Sequence, residues 1–136
     1  MNQNRLTDAG LLVIRTMLAV VFLYHGGQKL FGGLEGFAGH LGNMGVPAPQ
    51  VAAFLAALSE FGGGLVLLAG ILFRWTLPFL VFTMLVAYFK GHGGNFSAQA
   101  GGGEYALTLG LVVLGLILTG PGTFGLAGLL GRKKEA

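Results

Sequence analysis

Arg15, His25 and Lys29 lie inside a stretch, residues 11–31 (LLVIRTMLAVVFLYHGGQKLF), that is otherwise apolar enough to enter a bilayer. Ionisable groups at such depth are costly, and where they occur they mark places that handle protons, ions or polar headgroups. At about 100° per residue, Lys29 falls about 40° and His25 about 80° round the helix from Arg15. All three are therefore expected on one side, facing protein rather than lipid. The rest of the chain holds few groups that could answer them: Glu60, Lys90 and Glu104 inside or bordering apolar segments, and Tyr24, Tyr88 and Tyr105 beside them.

Positioning such groups takes helices. Four apolar segments can be drawn, at about 9–30, 51–73, 75–89 and 104–119. Each is near the ~20 residues that cross a bilayer, the third and fourth being short for it. None shows the two-residue alternation of a barrel strand. Thr7 and Asp8 are candidate caps for the first helix. Between the first two segments, Gly, Pro47 and Pro49 interrupt any long helix, yet Leu34, Phe37, Leu41 and Met44 recur at three or four residues. That spacing predicts a short helix lying in the membrane interface. Arg74 and Trp75 are nearly all that joins the second and third segments, a tight hairpin with a cation and an aromatic at headgroup level.

With 54% hydrophobic and 10% charged residues among 136, the chain reads as a single membrane domain. A soluble domain carries about 25% charge. The net charge of +3 is not a nucleic-acid footprint, because Lys and Arg cluster only at Arg132, Lys133 and Lys134. No Cys is present, so thiolate metal sites and disulfides are excluded. Arg15 interrupts the first apolar run and no small-residue cleavage site follows, so it is read as an uncleaved span rather than a signal peptide. Arg5, Arg74 and the basic cluster at 132–134 fall on one side and only Lys29 and Lys90 on the other. The positive-inside rule then puts both termini in the cytoplasm. The fold expected is all-α: an integral membrane four-helix bundle with a short interfacial helix between spans one and two and a cytoplasmic tail at 120–136.

Depths measured at ~1.5 Å per residue from the cytoplasmic edge place His25 near ~24 Å, Glu60 near ~20 Å, Lys90 near ~22 Å and Glu104 near ~23 Å. Four helices thus deliver charge to one outer layer, and the three tyrosines fall there too. Arg15, near ~9 Å on the same ruler, is expected to stand apart and snorkel to the inner headgroups. One reading of the layer is structural, with Lys29 and Lys90 paired to Glu60 and Glu104. The other is a site for the headgroup of a quinone or similar amphipathic ligand. Its ligand-binding set is Arg15, Tyr24, His25, Lys29, Glu60, Tyr88, Lys90, Glu104 and Tyr105. Glu60, Glu104 and His25 are the candidates for moving protons. Haem between His25 and His92 is disfavoured, since His92 sits in a Gly-rich loop and His40 reads as solvated. No metal site is expected. The small residues Ala56, Ala57, Ser59, Gly62, Gly63 and Gly64, with Gly26 and Gly27, predict close helix approach.

Arg15, then His25-Gly26 with Lys29, then Glu60 followed by glycines and LVLLAGILFRW, then Glu104, then Thr119-Gly120-Pro121-Gly122 form an order that resembles the DoxX family of small four-helix bacterial membrane proteins. The resemblance covers nearly the whole chain. It implies a multi-pass protein of the bacterial inner membrane. The family takes its name from a subunit associated with a terminal quinol oxidase and thiosulfate:quinone oxidoreduction, and other members are linked to membrane oxidoreductase complexes and oxidative-stress defence. The implied role is an accessory or quinone-interacting subunit, with membrane lipids, other oxidoreductase subunits or a second copy of the chain as partners. Two alternatives from other classes are a small proton-coupled transporter and a non-catalytic assembly factor.

Overall fold

The computed structural model describes residues 3–126 and 128–130, which hold helices and no strand. The basic cluster at 132–134, on which part of the orientation rests, lies outside the described residues. Helix α1 runs Gln3–Gln28, α2 Leu34–Asn43, α3 Pro49–Ala69, α4 Phe73–Val86 and α5 Glu104–Thr119. The continuous helical path 3–43 and the helix α3 are long and apolar enough to cross a membrane, and α5 is a shorter apolar helix.

Helix α1 begins earlier than Thr7 and Asp8 would have it. No Pro or Gly precedes Thr7 to stop the helix, and its hydroxyl donates back to the Gln3 carbonyl at 3.0 Å. Asp8 instead accepts from Thr123 Oγ1, so both expected caps are interior residues. After Gln28 the helix widens into a π turn over Lys29–Gly33 and breaks at Phe31 (φ −106°, ψ 43°) and Gly32 (φ 138°, ψ −6°). The short helix expected next does form as α2. Its apolar stripe is turned onto the start of α3, where Ala38, Leu41 and Ala53 are buried with Leu34, Phe37 and Met44 around them. Ala48 adopts a left-handed backbone (φ 46°) immediately before Pro49, a position from which the proline excludes the helical conformation.

The main packing is of α1 on α3, α3 on α4 and α4 on α5, with α2 against α3 and only slight contact between α1 and α5. Their shared core is Leu18 and Phe22 of α1, Leu67 of α3, Leu77, Leu80 and Met84 of α4, and Val113 and Leu116 of α5. Small residues set the α1–α3 register, as their spacing predicts. A Cβ on Gly26 would lie 2.5 Å from the Phe61 backbone nitrogen, and one on Gly64 would lie 3.0 Å from that of Leu23. Two antiparallel helices in backbone contact have no freedom to slide. That register puts Lys29 opposite Glu60 at one end and Arg15 opposite Gly70 at the other. The outside stays apolar, with Val13, Met17 and Val20 of α1, Leu58 and Leu65 of α3, Phe79 and Phe82 of α4, and Leu118 of α5 all exposed.

Candidate functional site

Lys29 and Glu60 meet. Glu60 sits in the middle of α3, only 2% exposed, and its Oε1 accepts from Lys29 Nζ at 2.6 Å. Lys29 reaches it from the π turn that follows α1, with 29% of its side chain still exposed and its ammonium 4.6 Å from the centre of the Phe37 ring. Three elements therefore converge on one ammonium: the turn that carries it, the carboxylate of α3 and the aromatic face of α2. The pair satisfies the requirement that a charge buried in apolar surroundings be matched, and the Phe37 ring adds a cation–π contact.

The neighbouring aromatic groups gather more loosely. Tyr24 and His25 stack edge to face with ring centres 5.4 Å apart, and His25 faces Tyr105 at 6.5 Å across the α1–α5 gap. All three are exposed, so the helix side expected to face protein does so at Arg15 but not at His25. The reason is local: Gly26, the next residue, is the one pressed onto α3, which turns His25 outward. On the other flank Phe31 and Phe61 pack edge to face at 5.4 Å.

Lys90 and Glu104 do not form the second ion pair of the structural reading. Lys90 is exposed at the end of a π turn, Ala87–Gly91, and makes no ion pair or hydrogen bond among the described residues. Glu104 is half-buried as the first residue of α5. There the unbonded amides and dipole of the helix start favour a carboxylate without a lysine. Tyr88 donates to the Gly94 carbonyl at 2.9 Å, and His92 Nδ1 lies 3.0 Å from the Gly101 carbonyl, so both side chains organise the loop before α5. His40 is exposed in the last turn of α2. Among the described residues no group of three His, Asp or Glu side chains is placed to hold a metal ion.

Arg15 departs from expectation. It does not reach out to headgroups: it is 2% exposed, and its Nη1 donates to the Pro121 carbonyl at 2.9 Å while Nη2 donates to the Phe124 carbonyl. After α5 the chain folds back on α1, and Thr123 ties it there through Asp8. The guanidinium lies between two glycines, since a Cβ on Gly70 would overlap it and one on Gly125 would come within 2.9 Å of Nη1. Nothing in their residue types marks Gly70, Pro121, Phe124 and Gly125 for this role, because two offer backbone carbonyls and two the space that a missing Cβ leaves. The one available signal was Gly-Pro-Gly at 120–122, which stops a helix and turns the chain.

The family model described as DoxX matches residues 10–93, which include Arg15, Lys29 and Glu60. The chain is 35% identical over 136 residues to a protein of Escherichia coli K12 named inner membrane protein YqjF, covering 96% of this chain and 98% of that one. It is 32% identical over 124 residues to a Bacillus subtilis protein named "Putative oxidoreductase CatD", covering 86% and 84%. A second E. coli K12 protein, named inner membrane protein YphA, is 25% identical over 138 residues, covering 93% and 98%. No solved structure matches the chain.

Proposed function

We propose, from the premise that this chain belongs to the DoxX family, that it is an inner-membrane four-helix bundle acting as an accessory or quinone-interacting subunit of a membrane oxidoreductase. The exposed apolar residues on α1, α3, α4 and α5 support the membrane location, since a soluble monomer does not carry such a surface all round. So do the names of two relatives as inner membrane proteins. In this arrangement α1, α3, α4 and α5 cross the bilayer, α2 lies at its surface, and both termini are cytoplasmic.

The observation that carries the reading is a carboxylate, Glu60, buried beside a partly exposed ammonium, with the exposed rings of Tyr24 and His25 on α1 and of Tyr105 on α5 at the same end of the bundle. A phenol and an imidazole are suited to donate hydrogen bonds to the carbonyl oxygens of a quinone headgroup. Glu60 is the proton acceptor, and Lys29 answers its charge. Glu104 at the start of α5 is a second carboxylate at the same end. The name of the Bacillus subtilis relative is consistent with oxidoreduction.

The assembly-factor reading has one observation in its favour: Lys29 and Glu60 satisfy each other, and a satisfied pair can serve the bundle alone. Binding separates the two. The full chain, purified in detergent, is titrated with a short-tailed ubiquinone against a detergent blank. Binding above the blank, about tenfold weaker in a folded Glu60→Gln variant, supports the quinone site. No binding above the blank removes it and leaves the assembly role.

A further inference from the structure

Arg15 brings a full charge into the protein with no carboxylate among the described residues to meet it. Its two described partners are the carbonyls of Pro121 and Phe124, and its Nε is wholly buried without an acceptor among the described residues. Carbonyl dipoles offset part of the desolvation of a guanidinium, but they leave its charge intact. Arg15 also forms part of the wall of an open groove of about 520 Å³, whose other walls include Leu68 of α3 and Phe124, Leu126 and Leu129 of the segment after α5. The groove thus offers a buried cation beside apolar walls, the two halves of an amphiphile's complement.

Its level fits a lipid. Gly70, against which the guanidinium rests, begins the turn into α4, and that turn continues directly into exposed Arg74 and Trp75. An aromatic and a cation side by side at the end of an apolar helix mark the headgroup zone. We propose that this groove binds one anionic phospholipid, its phosphate answering Arg15 and its acyl chain lying along Leu68, Leu126 and Leu129. The site is separate from the Lys29–Glu60 layer and rests on the membrane location of the protein, not on quinone binding.

The test is native mass spectrometry of the full chain titrated with phosphatidylglycerol, with phosphatidylcholine of the same acyl chains, and with inorganic phosphate. The first phosphatidylglycerol should be retained about tenfold more tightly than phosphatidylcholine. Arg15→Gln should erase that preference. If that variant does not fold, Leu129→Trp decides the matter, since it fills the groove from an exposed position while leaving Arg15 in the chain, and should also erase it. An unchanged preference in Leu129→Trp overturns the proposal. So does loss of preference on Arg74→Gln alone, which would mean diffuse interfacial charge, or binding of inorganic phosphate with no lipid preference. A preference that emerges only after Glu135→Gln would identify a carboxylate of this chain as the occupant and overturn it as well.

Discussion

Arg15 and Lys29 stand on the same face of one helical path, ~21 Å apart along it, and their charges are answered in opposite ways. Lys29 meets a carboxylate from α3 and keeps partial access to the outside, with an aromatic ring over it. Among the described residues Arg15 meets only backbone oxygens, pressed between two glycines by a segment that returns from the end of α5. The difference follows from the donors. A compact ammonium matches one carboxylate, whereas a planar guanidinium has five N–H groups that can be spread over several carbonyls. One end of the molecule is therefore a neutral pair beside exposed aromatics, suited to exchange with a ligand. The other end is a buried positive charge in the wall of an open apolar groove, suited to holding something in place.

The comparison breaks most readily at the ion pair, where the two partners are unequally buried. Lys29→Met strands a carboxylate that is 2% exposed, and loss of one partner from a buried pair costs about 3–5 kcal/mol. Glu60→Gln should cost clearly less, because the lysine can turn its ammonium toward the 29% of its side-chain surface that is already exposed. SDS-unfolding midpoints of the two variants provide the measurement. Equal losses would show that Lys29 has no such escape and that the site is closed rather than accessible.

At the other end the decisive position is Gly70. It ends α3 in a left-handed conformation, φ 72°, and a Cβ there would overlap the Arg15 guanidinium. Gly70→Ala combines backbone strain with overpacking, together about 2–3 kcal/mol. In an Arg15→Gln background, where the shorter amide leaves room, the cost should fall to the roughly 1 kcal/mol of the left-handed backbone alone. The same unfolding assay run as a double-mutant cycle measures this coupling. No coupling would mean that Arg15 is not held by the turn between α3 and α4.

How much of this was legible in the sequence depends on what answers each charge. The Lys29–Glu60 contact could be read because opposite charges in apolar segments must find each other, although the helical ruler gave no depth for Lys29. The same logic failed for Lys90 and Glu104, since a helix start accommodates Glu104 without a cation and a π turn leaves Lys90 exposed. It failed for Arg15 too, because carbonyl acceptors are present at every residue and only the fold selects which ones turn inward. Thr7 and Asp8 have the right types for caps, yet nothing before them breaks the helix, and Asp8 serves a contact with Thr123 that no local pattern encodes. Close approach of α1 and α3 was readable from small residues alone, as Gly26 and Gly64 show.

The smallest effect sharpens the comparison further. Thr123 donates to Asp8 at 2.5 Å from an exposed position, and it fastens the segment that covers Arg15 to the first helix. Exposed hydrogen bonds contribute little to global stability, so Thr123→Ala should cost about 0.5–1 kcal/mol at most. Its effect should be local. The Leu129 amide, bonded to the Gly125 carbonyl at 3.0 Å just beyond the tether, should exchange its hydrogen several-fold faster, as a cover that opens by itself would allow. Amides of α3 around Glu60 should keep their protection. If exchange rises equally at both ends, the returning segment is part of the common core rather than a separate cover, and the division of the molecule into an accessible pair and a separately covered cation no longer holds.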